Sequence, residues 1–502
     1  MGVTARQIGS AMVWSVTAKV ARFALGMASS VIVVRSLGDY NFGVLSLIRA
    51  LLMFVVIVSS AGLGQAALKF LPALRVERSS REARRLVRKI IVLHLSAWAV
   101  LTVACYLGRG WVGGLFKYEG FGILLSAAVA LVVFELFFTV MSNVLNSNYD
   151  TKLLSIATMV SHALYIVLLL VLMPRGTGVL GVLVAAAGGY VVASAMILGR
   201  LRLAVDFGEG ETGYAIDNAR LVRYTVPFAL IGVLNLIVWR QSETVLLGYF
   251  RGAEETGYFD LAYRMAQIVL EFIPGTVWPL VMAGVSEAYA RNAENLKGAI
   301  DRYYRMLFIL CAPICVTGMV LGGRMISILF GSDMTPAAVP TQVFFGIFTV
   351  SFFGTPLSMA LYVMEKTHVN LAIYVVLAVV NVGLDLLLIP RFGVTGAMIP
   401  VAAVIFVSPF IYRVVLGRMV RGVAIPYRFI ARCFLASAPV LLLIPLLRFV
   451  GGVVELVVAF LVAGALLLAS FRLVRVVGVE ERELLGAIPF PMATRLLKFV
   501  SS

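Results

Sequence analysis

The sequence predicts an all-α polytopic membrane protein of about fourteen transmembrane helices. Two parallel six-helix repeats form lobes around a central cavity, and two extra helices follow at the C-terminus. Three observations predict this fold. The 502 residues are 61% hydrophobic, with a mean hydropathy of +1.00, more apolar sequence than a water-soluble core absorbs. The apolar runs are about 20 residues long, the reach of a helix across a bilayer. One hairpin also occurs twice, about 214 residues apart.

The first copy of that hairpin reads RSLGDYNFGVLSLIRAL from Arg35, with Gly38 and Gly43 at its turn. The second reads YFRGAEETGYFDLAYRM from Tyr249, with Gly252 and Gly257 at the same spacing. A second echo supports the first. MPRGTGVLGVLVAA from Met173 resembles IPRFGVTGAMIPVAA from Ile389, an offset of about 215. Duplication of this kind implies a transporter with a substrate path between the halves.

In order, the first repeat takes spans near 10–34, 42–71, 90–107, 120–143, 153–173 and 178–199. The first run lacks a cleavage site of small residues, so it is read as a helix and not a signal peptide. The second repeat takes 223–249, 258–284, 304–330, 338–364, 368–389 and 394–416. Six spans per repeat is an even number, so both repeats enter the membrane in the same sense. The spans near 429–448 and 452–471 have no counterpart. The division is thus 1–215 and 216–420 for the two lobes, with 421–502 holding the last two spans and a tail. That tail, 480–502, has the apolar spacing of a helix lying on a membrane surface.

The net charge is +17, but its distribution excludes a nucleic-acid reading. Most of the 42 Lys and Arg fall on one side of the predicted topology, with the heaviest cluster at 75–89 (RVERSSREARRLVRK). This is the positive-inside pattern, and it places both termini in the cytoplasm and the protein in the cell membrane. Loops are short, and no phosphate-binding G-x4-G-K-[ST] loop occurs. An enzyme is therefore not expected. The four cysteines lie inside spans and read as packing residues. His94 and His162 have no second ligand at metal spacing, so neither a metal site nor an organic cofactor is expected.

Charges inside lipid mark function. Ser15, Lys19, Arg22 and Gly26 step by four, three and four along span 1 and share one face. Span 2 adds Arg49, and Glu135 on span 4 is the clear acid within the first repeat's spans. Surplus positive charge in a wet cavity suits a phosphate or pyrophosphate. Snorkelling, or pairing with Glu135, accounts for the same residues. On span 8, Asp260, Arg264, Gln267 and Glu271 form a polar stripe. Span 7 offers Asn235, Arg240, Gln241 and Glu243 across the turn. Either these groups line the second half of a cavity, with Arg264 toward the ligand, or they form a closed ion-pair network. On span 11, Asn381 and Asp385 lie four apart. Joined by Glu243, they can take Na⁺ or a proton, or simply bond neighbouring helices.

Three segments carry a family resemblance: VRSLGDYNFGVLSL from Val34, SAGLGQAALKFLP from Ser60 and NVGLDLLLIPRFGVTGA from Asn381. With them the chain resembles the polysaccharide-biosynthesis flippases of the multidrug/oligosaccharidyl-lipid/polysaccharide exporter superfamily. The resemblance implies two six-helix lobes in a V. It implies movement of a polyprenyl-phosphate- or pyrophosphate-linked oligosaccharide from the inner to the outer leaflet by alternating access. Other polysaccharide-assembly proteins and membrane lipids would be its partners. Related lipid II flippases handle pyrophosphate with cavity arginines in spans 1, 2 and 8, and Arg22, Arg49 and Arg264 sit in the matching spans. Their sodium site can include an Asn-x3-Asp pair on span 11, which Asn381 and Asp385 match. Oligosaccharide flippases often carry a second Asn where this chain has Asp385, a departure that favours ion coupling here. A peptidoglycan-precursor flippase or a cation-coupled drug exporter of the same superfamily are the alternatives. An exporter would need acid-rich cavities. A membrane scaffold would tolerate loss of Arg22 and Arg264.

Overall fold

The computed structural model describes residues 5–60, 62–116, 118, 120–147, 151–206, 217–239, 242–420, 422–478 and 481. Its elements are helical throughout. They divide into two compact units, Met1–Gly257 and Tyr258–Ser502.

The first unit holds α1 (Ala5–Ser60), α2 (Leu63–Val76), α3 (Ser80–Leu107), α4 (Arg109–Phe116) and α5 (Phe121–Ser147). It continues with α6 (Thr151–Leu172), α7 (Gly178–Ala204), α8 (Asn218–Trp239) and α9 (Ser242–Phe250). α10 (Ala253–Arg291) starts within this unit and runs into the second. The second unit adds α11 (Asn295–Phe330), α12 (Ala338–Val363), α13 (Thr367–Met419), α14 (Tyr427–Ser437) and α15 (Val453–Val474). A 3₁₀ stretch, Ala438–Phe449, prolongs α14.

Among the described residues, eleven helical stretches are long and apolar enough to cross a membrane. Two of them, Lys19–Arg75 and Thr367–Met419, run 57 and 53 residues. At about 1.5 Å per residue each exceeds twice the thickness of the hydrocarbon layer. Each must therefore break and turn. The breaks lie at Gly38, with φ 71° and ψ 178°, and at Gly393, with φ 55° and ψ −129°. No L-residue with a Cβ adopts such angles cheaply. α10, with its charged stripe, lies outside the eleven stretches.

The duplicated sequence returns as duplicated backbone. Gly38 and its counterpart Gly252 both have positive φ, 71° and 102°. Gly178 and Gly393, paired in the second echo, have φ of 56° and 55°. The second glycine of each hairpin turn meets the other turn. A Cβ on Gly43 would stand 2.5 Å from the Ala253 carbonyl carbon and 3.2 Å from its Cα. A Cβ on Gly257 would stand 3.0 Å from the Asp39 carbonyl oxygen and 3.1 Å from the Gly43 nitrogen.

This contact is part of a larger one inside the first unit, where α8 and α9 pack on α1 and α2. A Cβ on Gly62 would lie 3.0 Å from the Phe228 Cβ, and one on Gly248 would lie 2.9 Å from both Leu47 methyl carbons. Small residues at such crossings let helices approach where no hydrophobic force drives them together. A compact-unit boundary thus falls at Gly257. It differs in position from the boundary at 215 expected from the repeats.

Each unit has its own core. In the first, Leu71, Leu74, Ile90 and Val144 are buried together between α2, α3 and α5. In the second, Tyr263 of α10 meets Phe344 and Phe348 of α12 edge-on at 5.3 and 4.9 Å, the favoured aromatic geometry. Outward faces are apolar as well: Leu442, Val454, Leu461 and Leu473 are all exposed, as a lipid-facing surface requires.

Candidate functional site

In the first unit, cations of α1 face a polar cluster supplied by α5, α6 and α7. Arg22 is exposed in a membrane-length helix. Its guanidinium stands close enough to Lys19 and to His162 of α6 for the charges to interact. Among the described residues, no carboxylate pairs with Arg22. Two cations at this distance repel in a medium of low dielectric, a cost that an anion would remove.

Arg49 is placed differently. It is half-buried, its Nη2 donates to the Tyr165 hydroxyl at 3.4 Å, and its charge attracts Glu135 on α5. Glu135 in turn accepts a hydrogen bond from the Tyr190 hydroxyl of α7. Arg49 is therefore held by a carboxylate and a phenol, while Arg22 is not. Glu135 is the carboxylate whose charge acts on Arg49. His162 turns its Nδ1 to the Thr158 carbonyl at 2.9 Å, so the proton on that nitrogen is committed to its own helix.

Tyr165, Tyr190 and His162 were not singled out as site residues from sequence. A signal did exist for two of them. Thr158, His162 and Tyr165 step by four and three along α6 and so share a face. Tyr190 stands alone among apolar residues, and only the rule that a sheltered phenol seeks a partner points to it.

Still in the first unit, Glu243 lies in the first turn of α9 and is 1% exposed. It accepts a hydrogen bond from the Ser242 hydroxyl at 3.3 Å. The positive end of that helix favours its carboxylate. Asn235 donates to the Ile231 carbonyl of its own helix at 3.1 Å. Arg240 and Gln241 lie outside the described residues.

In the second unit, the stripe on α10 resolves into two pairs. Arg264 directs Nε and Nη2 at one oxygen of Asp260, at 3.2 and 3.0 Å. Asp260 is buried at 5% exposure. Gln267 donates to Glu271 at 3.1 Å. The positive charge of Arg264 is thus largely balanced within its own helix. Asn381 and Asp385 on α13 are both 0% exposed, with the Asn381 Nδ2 3.4 Å from an Asp385 oxygen. Their oxygens are the hard donors that an alkali cation takes. Among the described residues, no group of three or more His, Cys, Asp or Glu could hold a metal ion.

A family model described as polysaccharide biosynthesis protein matches residues 32–339. The chain belongs to the polysaccharide biosynthesis protein family. The match covers the segments from Val34 and Ser60, while the one from Asn381 lies beyond it. Within reach of this family is the probable low-salt glycan biosynthesis flippase Agl15 of Haloferax volcanii. It is 20% identical over 409 residues, 80% of this chain and 82% of the relative. The probable flippase AglR of the same organism is 22% identical over 207 residues, 40% of this chain and 42% of the relative.

The family member also has the fold of solved transporters. The lipid II flippase MurJ in an inward closed conformation superposes with a TM-score of 0.72 at 13% identity, covering 92% of this chain and 98% of that one. An inward-facing multidrug resistance MATE transporter of the MOP superfamily gives 0.65 at 17%, covering 80% and 94%. These relatives are flippases and transporters, not enzymes. The chain is a multi-pass membrane protein with the fold of these transporters, as the sequence resemblance implied.

Proposed function

We propose that the protein carries a polyprenyl-phosphate- or pyrophosphate-linked oligosaccharide from the inner to the outer leaflet of the cytoplasmic membrane by alternating access, with both termini cytoplasmic. One observation carries the proposal: Arg22 is exposed in a membrane-length helix, beside Lys19 and His162, with no pairing carboxylate among the described residues. An anionic headgroup relieves that repulsion, and the planar guanidinium fits phosphate oxygens two at a time. Arg49, steadied by Tyr165 and Glu135, adds a second positive group in a fixed orientation. The likeness to the probable low-salt glycan biosynthesis flippase of Haloferax volcanii supports a glycan as part of the cargo. A drug exporter that takes cations is disfavoured, because among the described residues Arg22 stands near Lys19 and His162 and pairs with no carboxylate.

Arg264 then serves as a latent cation. It is balanced by Asp260 at rest, and a phosphate competing for the same guanidinium would release that carboxylate. Asn381 and Asp385 hold the driving cation, Na⁺ or a proton, in the second unit. Partners in the assembly of the finished polysaccharide would receive the cargo on the far side.

The test is leaflet transfer in proteoliposomes. A polyprenyl-pyrophosphate oligosaccharide is loaded on one side, and its sugar is read with a membrane-impermeant probe. Wild type transfers, Arg22→Ala does not at matched thermal stability, and Arg22→Lys keeps part of the rate. Equal transfer by wild type and Arg22→Ala removes Arg22 from the headgroup site. No transfer by wild type of any lipid-linked glycan removes the proposed cargo.

A further inference from the structure

Beyond α15 the chain turns back onto the second unit. α15 ends at Val474, and Arg475 takes φ 51°, the left-handed conformation in which helix ends usually place glycine. The Val476 N–H returns to the Phe471 carbonyl at 3.2 Å, the long bond of a Schellman turn. A residue with a Cβ holds such angles only where the chain around it is fixed. Here the chain is fixed at once, since Val476 and Val477 are both buried.

The carboxylate of Glu481 ties this segment at two points. One oxygen accepts the Gly478 N–H at 2.9 Å, and the other accepts Nη1 of Arg305 on α11 at 2.9 Å. Glu481 is 6% exposed, so the pair is sheltered on its acidic side. Arg305 is shared further. Its Nε donates to Asp301 of its own helix at 2.7 Å, and its guanidinium lies over the Phe429 ring of α14, 4.8 Å from the centroid. One side chain thus joins α11, α14 and the chain beyond α15. Cys433 lies one turn after Phe429 on the same face of α14. It is fully buried, and close enough to Glu481 and Arg305 for their charges to act on it.

We propose that the chain beyond α15 is a latch, with Glu481 as its bolt and Arg305 as the catch. Closed, it covers the Cys433 face of α14 and joins α11, α14 and α15 into one moving body. Open, it exposes that face and leaves the three helices to their apolar packing. The chemistry of the bolt makes the latch two-state. A sheltered ion pair adds little net stability over apolar packing, but half of one is strongly unfavourable. The segment is therefore either docked with both charges met or released with both in water. The latch lies apart from the Arg22 cluster and does not depend on what the protein carries.

The test uses the full-length protein in neutral detergent and reads the rate at which a maleimide labels Cys433, with the other three cysteines replaced by alanine. A second reporter keeps Cys315 instead, a buried residue about 15 Å along α11 from Arg305. When the latch closes faster than the thiol reacts, the rate follows the open population. Glu481→Gln and Arg305→Gln each quicken Cys433 labelling about tenfold, the worth of one charge-assisted hydrogen bond. The double variant is no faster than Arg305→Gln, and Cys315 keeps its wild-type rate throughout. Unchanged labelling of Cys433 in Glu481→Gln overturns the latch. Equal quickening of Cys433 and Cys315 also overturns it, because the whole unit has then loosened. Single effects that multiply in the double variant overturn the pairing of bolt and catch.

Discussion

Replacing Gly43 by alanine should destabilise the protein, against the ordinary preference of helices. In a helix interior, Gly→Ala normally stabilises by about 1 kcal/mol. Here the new methyl would stand 2.5 Å from the Ala253 carbonyl carbon and 3.2 Å from its Cα. Carbon atoms in contact prefer about 3.5–4.0 Å. The two backbones must therefore separate by about 1 Å, and a gap of that size forfeits roughly half of each neighbouring dispersion contact. Overpacking costs about 1–3 kcal/mol where side chains can adjust; main chain adjusts less, so the upper end is expected. Gly257→Ala should cost less, since its nearest neighbours stand at 3.0 and 3.1 Å. Gly417→Ala in α13 is the control, with nothing within 4 Å of its Cβ. Thermal unfolding of the three variants in one detergent gives the ranking. Gly43→Ala should lie lowest, Gly257→Ala between, and Gly417→Ala at or above wild type. If Gly43→Ala melts as high as Gly417→Ala, the meeting of the two hairpin turns is wrong.

Three further outcomes are expected. Arg264→Ala should lower stability by about 1–3 kcal/mol, less than a fully buried pair would lose, because the Arg264 side chain is 27% exposed and Asp260 7%; a double-mutant cycle with Asp260→Asn measures the coupling directly. Tyr190→Phe should cost about 1 kcal/mol through its lost bond to Glu135, and more than Tyr165→Phe, whose hydroxyl meets Arg49 at a long 3.4 Å; paired thermal melts would show the opposite order if Glu135 leans on another group. Asp385→Ala should abolish the dependence of transfer on a Na⁺ or proton gradient and leave any downhill exchange intact, so transfer that still follows the gradient removes Asp385 from coupling.

What was legible in the sequence follows from how few residues can do a given job. Gly38, Gly252 and Gly393 could be found because a positive φ admits little else, and a duplicated turn repeats its glycines even when its side chains drift. The stripe of Asp260, Arg264, Gln267 and Glu271 was legible as a face, because helical spacing alone fixes it. Its internal pairing was not, since a guanidinium at that spacing reaches either its own helix or a ligand by changing rotamers. The packing of α8 and α9 on α1 and α2 was hidden for another reason. A repeat records ancestry along the chain, and nothing in it says which neighbours the helices choose in space. Tyr165 and Tyr190 were hidden because each contributes a single hydroxyl to an otherwise apolar helix, too little to disturb its pattern.

The glycine contacts differ in what they collide with, and that difference should govern second-site suppression. A larger residue at Gly248 would meet the methyl carbons of Leu47 at 2.9 Å. Shortening Leu47 makes room, so Gly248→Ala should be rescued by Leu47→Val or Leu47→Ala. A larger residue at Gly43 meets the main chain of Ala253, which every amino acid possesses. No substitution at 253 can clear it. In a genetic selection, revertants of Gly43→Ala should therefore be true reversions or changes that shift a whole helix, while Gly248 draws its suppressors from one neighbouring position.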